Sequence, residues 1–128
     1  MWSSNMDKPH KRLDVWKLSL ELTRRVYQLT ATYPEQERYG LVTQMRRAAV
    51  GIASNLAEGA ARSSRREFKQ FLSVARGSLS ELDTQLDLSE QLCLISGSTR
   101  QGLDPMLIRI DKMLYALQRK QDSQVALR

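Results

Sequence analysis

The chain reads as an all-α protein, an antiparallel up-and-down four-helix bundle, and three features predict it. Only 3 prolines and 6 glycines interrupt 128 residues, so long helices are favoured throughout. Apolar residues recur at spacings of three and four, which places them on one face of a helix. No pair of segments shows the alternation of facing strands, and there is no internal repeat or low-complexity segment.

The first helix is expected to start near Asp14, a good N-cap, and to stop before Pro34, because a residue preceding proline is pushed out of the helical region. Leu18, Leu22, Val26, Leu29 and Tyr33 form one stripe, and Trp16, Leu20 and Tyr27 form a second about a third of a turn away, with Ser19, Thr23 and Thr30 between them. Uncharged surface then covers more than half the circumference. One neighbouring face would not bury all of it, so Trp16, Leu20 and Tyr27 are candidate contacts with another copy of the chain.

After a connection from Pro34 to Gly40, the second helix presents Leu41, Met45, Ala48, Ile52, Leu56 and Gly59. Its small residues, Ala48, Ala49, Gly51, Ala53, Ser54, Ala57 and Gly59, let a neighbouring backbone come close. Asn55 and Glu58, three apart beside apolar Leu56 and Ala57, read as groups satisfying backbone or subunit hydrogen bonds, or less readily as ligand contacts.

The third helix is the clearest: Phe68, Leu72, Ala75, Leu79, Leu82, Leu86 and Cys93 hold one face over about seven turns. Ser63 or Ser64 caps its start, Glu67 completes a capping box with Ser64, and Gly97 falls just past the expected end. The fourth helix is expected from Pro105 to Lys120, with Asp104 as N-cap and Leu107, Ile110, Leu114 and Leu117 facing inward. If the turn from Ser98 to Leu103 joins it, Pro105 becomes a kink.

The domain plan is therefore a tail at 1–12, a bundle at 13–120 and a second tail at 121–128, both tails expected to fray. A chain of this size hides roughly two thirds of its unfolded surface and needs no metal or disulfide to fold. The lone Cys93 cannot pair internally, which fits a reducing cytoplasmic setting. No segment has the apolar length to cross a membrane, and no apolar region follows the early charges as in a secretion signal. MWSSN reads as an added leader or as a natural extension, so either Met1 or Met6 is the start.

Charge is distributed unevenly. The formal total is +6, but residues 46–76 hold 7 bases and 2 acids, while residues 77–111 hold 2 bases and 6 acids. Arg46, Arg47, Arg62, Arg65, Arg66 and Lys69 are the candidate nucleic-acid contacts, most of them near the turn between the second and third helices. Guanidinium forks match phosphate geometry. Cations in the first turns of a helix also oppose its dipole, so stability alone gives no reason for Arg65, Arg66 and Lys69 to be there. The competing reading is a solvated helix end or intersubunit salt bridges.

The acidic run Glu81, Asp83, Asp87 and Glu90 reads as a solvated or subunit-facing surface. A di-iron site would need Glu-x-x-His pairs, and the one histidine, His10, lies in a tail, so no metal and no cofactor is expected. No nucleophile stands with a base, and no glycine spacing fits a phosphate loop, so the chain is not read as an enzyme. Phe68 and Phe71 are assigned to packing rather than base stacking.

The segments LDVWKLSLELTRRVY (13–27), YGLVTQMRRAAVGIASNLAEGAARSS (39–64) and EFKQFLSVARGSLSELDTQL (67–86) resemble the four-helix-bundle family encoded in intervening sequences of 23S ribosomal RNA genes. The most specific piece runs from Arg46-Arg47-Ala48-Ala49-Val50 to Ser54-Asn55-Leu56-Ala57-Glu58-Gly59. Ala53 departs from the pattern, where a proline is expected. The resemblance implies an up-and-down bundle. Through the related accessory protein of diversity-generating retroelements, a basic pentamer that binds nucleic acid and a reverse transcriptase, it also implies a homo-oligomer, a pentamer, with RNA or DNA as partner. The alternative partner class is another protein, with the chain acting as a scaffold that touches no nucleic acid.

Overall fold

Leu13 leaves the chain extended, with φ −84° and ψ 121°, and Asp14 opens the first helix, α1, Asp14–Thr30. Asp14 is thus the first helical residue rather than the cap, where its carboxylate still complements the positive end of the helix dipole. The computed structural model describes residues 8–126, with side chains as far as Asp122. The choice between Met1 and Met6 falls outside the described residues. After α1 come a 3-10 turn, Glu35–Glu37, and the helices α2, Leu41–Ala60, α3, Arg65–Gln91, and α4, Gly97–Ala126.

Two expected tails are shorter than anticipated. Pro9–Arg12 forms a 3-10 turn, and His10 lies edge-on against Trp16, ring centroids 4.9 Å apart. α4 continues past Lys120 to Ala126, with Gln121 buried and its side-chain Nε2 donating to the Leu117 carbonyl at 3.2 Å.

Cross-contacts run in opposite numerical directions and make the helices antiparallel. Arg46 meets Thr30 and Thr23 meets Ala49. Gly59 faces Phe68 and Phe71, and Gly51 faces Ser78. Lys69 pairs with Asp122, and Arg76 with Asp111. α2 and α3 share the most extensive contact, and α1 and α4 close the ring least tightly. The apolar faces converge on Leu22, Val26, Met45, Ile52, Leu56, Leu72, Leu82, Leu86, Ile110 and Leu114, all fully buried. Each such side chain contributes about 1.5–3 kcal/mol relative to exposure.

α1 buries the arc between its two expected stripes. Ser19 and Thr30 are sunk beside Val15, Leu22 and Val26. Their hydroxyls donate back to the Val15 and Val26 carbonyls, each at 2.7 Å, which makes their burial tolerable. Trp16 packs against the core, whereas Leu20 and Tyr27 remain 44% and 43% exposed.

The end of α3 differs from the expected one. Cys93 lies beyond the helix and is exposed, with φ at 60°. The Leu94 amide donates to the Ser89 carbonyl and the Cys93 amide to Glu90, both at 2.9 Å. This bonding is a Schellman closure with cysteine in the place glycine usually takes. Gly97 does not end α3; it opens α4, where Ser96 caps the Thr99 amide at 3.1 Å. Pro105 lies inside that helix, where it lacks the amide that would bond the Gln101 carbonyl. Asp104, expected as a cap, is an interior residue.

Two substitutions test this account by chemical denaturation. A Cβ on Gly59 would stand 2.7 Å from Phe71 Cβ and 2.9 Å from Phe68 Cδ1, so Gly59→Ala should destabilise by about 1–3 kcal/mol despite its better helix propensity. Cys93→Gly should stabilise by about 1 kcal/mol by relieving the left-handed conformation. A lowered midpoint in that variant would contradict the closure described.

Candidate nucleic-acid interface

Helix α3 starts where Ser64, extended at ψ 131°, accepts a hydrogen bond from the Glu67 amide at 3.3 Å. That cap fixes the direction of the residues flanking the α2–α3 turn, and the structure brings Arg62, Arg65, Arg66 and Lys69 together there. Arg46 and Arg47 belong elsewhere. They lie about four turns back along α2, roughly 20 Å from the turn at 1.5 Å per residue, so the six candidates do not form one patch.

Each candidate has its own surroundings. Arg46 is tied to α1: Nε donates to Thr30 Oγ1 at 2.9 Å, Nη2 donates to the Tyr27 carbonyl at 3.4 Å, and the guanidinium lies 4.4 Å from the Tyr27 ring centroid. It serves to hold α1 against α2. Arg47 is exposed nearby and forms no ion pair among the described residues. Arg62 sits 4.9 Å over the Phe71 ring, with Glu67 at 3.9 Å, too long for a tight pair.

Arg65 is half-buried and donates through Nη1 to Gln121 Oε1 at 3.3 Å. Arg66 is exposed and makes no ion pair among the described residues. Lys69 meets Asp122 at 2.5 Å, although both side chains are about half exposed, and such surface pairs contribute little. Phe68 and Phe71 are both partly covered, and Phe68 packs against the core. α4 adds Lys120, which lines the same region. Sequence reasoning missed it because nothing local to residue 120 shows that α4 returns beside the α2–α3 turn.

Of the expected contacts with another copy, Leu20 and Tyr27 are open on α1 and Glu58 is open on α2. Asn55 is half-buried and donates to the Gly51 carbonyl at 2.7 Å, within its own helix. Trp16 is covered by His10 and the core.

The acidic run is not simply a solvated face. Arg100, only 7% exposed, donates to Asp87 at 2.7 Å, to Asp104 at 2.6 Å and to Asp83. Burial works against the guanidinium's charge, yet the Asp87 hydrogen bond and the charges of Asp87, Asp104 and Asp83 hold its pKa above the ordinary arginine value. Two aspartates from α3 and one from α4 thus clamp those helices. Among the described residues, no three His, Cys, Asp or Glu side chains group closely enough to hold a metal ion, and no helix is long and apolar enough to cross a membrane.

These features define a class: a small all-helical bundle with a basic turn at one end and its acidic tract closed by an internal arginine. The chain belongs to the 23S rRNA-intervening sequence protein family, whose family model matches residues 11–116. Its fold is similar to the crystal structure of a protein with unknown function from the S23 ribosomal protein family of Bacteroides thetaiotaomicron. That similarity has a TM-score of 0.75 at 23% identity, over 82% of this chain and 95% of the other. No curated protein matches the chain.

Arg100→Met should leave three carboxylates facing one another. Because these are 52%, 60% and 46% exposed, the loss should be about 2 kcal/mol, below the ~3–5 kcal/mol of a fully buried pair. Urea melts of the variant should recover part of it at high salt, which screens the carboxylates. Unchanged stability would show that the clamp does not hold α3 to α4.

Proposed function

We propose that the chain is a non-catalytic, homo-oligomeric protein that binds RNA or single-stranded DNA through phosphate contacts made by the cations of the α2–α3 turn. The supporting observation is the incomplete neutralisation of that turn. Arg66 has no ion partner among the described residues, Arg65 is matched by an amide, and Glu67 stands 3.9 Å from Arg62. These bases also oppose the dipole of α3, so they are better explained by an external anion than by helix stability.

Assembly raises the effect. A pentamer of chains carrying +6 each would present about +30, a strong field for polyanions. Exposed Leu20 and Tyr27 on α1 supply apolar surface for such an assembly. Contacts with phosphates carry no base information, so the binding would follow charge and shape and depend steeply on salt.

Filter binding to single-stranded RNA and DNA across a salt series tests the reading, with light scattering for mass. Affinity should fall steeply with salt, and the triple variant Arg62→Glu, Arg65→Glu, Arg66→Glu should bind at least about a hundredfold more weakly. Binding that persists in the triple variant would remove the site. No binding by the wild type would favour a protein scaffold, and a monomeric mass at micromolar concentration would remove the assembly.

A further inference from the structure

Leu13, the α2–α3 turn and the last turns of α4 border an open cavity of about 440 Å³. Three cations line it, Arg62 from the turn, Arg65 from α3 and Lys120 from α4, with Ser63 and Ser64 between them and no carboxylate among the lining residues. Three like charges around one hollow repel one another unless an anion shares it. Arg65 adds a second sign of incompleteness. Its Nε is shielded from solvent and has no acceptor among the described residues, although Nη1 is held by Gln121 at 3.3 Å. Because Nε is shielded, an oxyanion in the cavity would pair with it only after the guanidinium turns, whereas Arg62 and Lys120 are exposed and meet a ligand first.

We propose that this cavity is a phosphate monoester site, taking the terminal phosphate of a nucleic-acid strand or of a free nucleotide. The chemistry favours a monoester over an internal diester. A monoester carries about −1.5 to −2 charge and three terminal oxygens, which suits two guanidinium forks and an ammonium. An internal diester carries one charge, and two chain arms would have to leave the hollow. Glu67, at 3.9 Å from Arg62 outside the lining, is the acid competing for that guanidinium, while Asp122 is engaged by Lys69. The strand form of the ligand rests on the proposed nucleic-acid binding; the phosphate chemistry of the cavity does not.

Fluorescence anisotropy on the full chain separates the two. The probes are one short single-stranded RNA bearing a 5′-phosphate, a 3′-phosphate or neither, together with a nucleoside monophosphate as competitor. One phosphorylated end should bind roughly tenfold tighter than the unphosphorylated strand. Lys120→Gln, with an unchanged circular dichroism melt, should erase that preference, weakening the phosphorylated strand roughly tenfold more than the unphosphorylated one. Displacement of the phosphorylated strand by the monophosphate only at far higher concentration identifies a strand end as the ligand; equal potency identifies the free nucleotide, and both support the site. Monophosphate binding lost in Lys120→Gln, without any strand binding, would keep the cavity and overturn the nucleic-acid reading. Equal affinity for all three strands would overturn the cavity and leave surface binding intact. No binding of either probe would overturn both.

Discussion

The close approach of α2 and α3 is the constraint on which the other features depend. At Gly59 the backbone of α2 lies so near Phe68 and Phe71 that a single methyl group would collide with them, and at Gly51 a Cβ would stand 3.0 Å from Ser78 Oγ. These contacts fix how far α3 can slide along α2, so they also fix where the connecting turn projects. Ser64 then caps α3, and Arg62 and Arg65 are held on either side of the cap. Glycine placement in α2 thus sets how closely α3 packs beside the basic turn.

Charge in this chain divides into two roles that composition cannot separate. Some arginines are internal fasteners. Arg46 closes α1 onto α2 through Thr30 and the Tyr27 carbonyl, Arg76 ties α3 to α4 through Asp111 and Gln118, and Arg100 gathers three aspartates. Planar guanidinium groups suit this work because one side chain can satisfy several acceptors from different helices. The bases of the α2–α3 turn, by contrast, face few acids, and that imbalance rather than the net +6 is what the proposed anionic ligand rests on.

Much of the bundle was legible beforehand. Leu72, Ala75, Leu79, Leu82 and Leu86 are buried in the order their spacing required, and the Ser64 cap was readable from the Ser-x-x-Glu pattern. The α3–α4 junction was not, because the usual glycine marker is missing: Cys93 adopts the left-handed turn and Gly97 starts the next helix. Pro105 likewise suggested a helix start, yet α4 passes through it, with Leu103 and Leu107 buried on both sides and the Arg100 clamp one turn earlier.

What the sequence determined by itself is the helical class and the identity of the buried faces, because a 3.6-residue period and local capping bonds involve neighbours within a few positions. The tertiary structure decided which charges stay available. Whether Arg46 or Arg66 can meet a ligand depends on side chains many residues away, and Lys120 joins Arg65 only once α4 returns antiparallel to α3. Electrostatic roles are set by proximity in space, which periodicity along the chain does not encode.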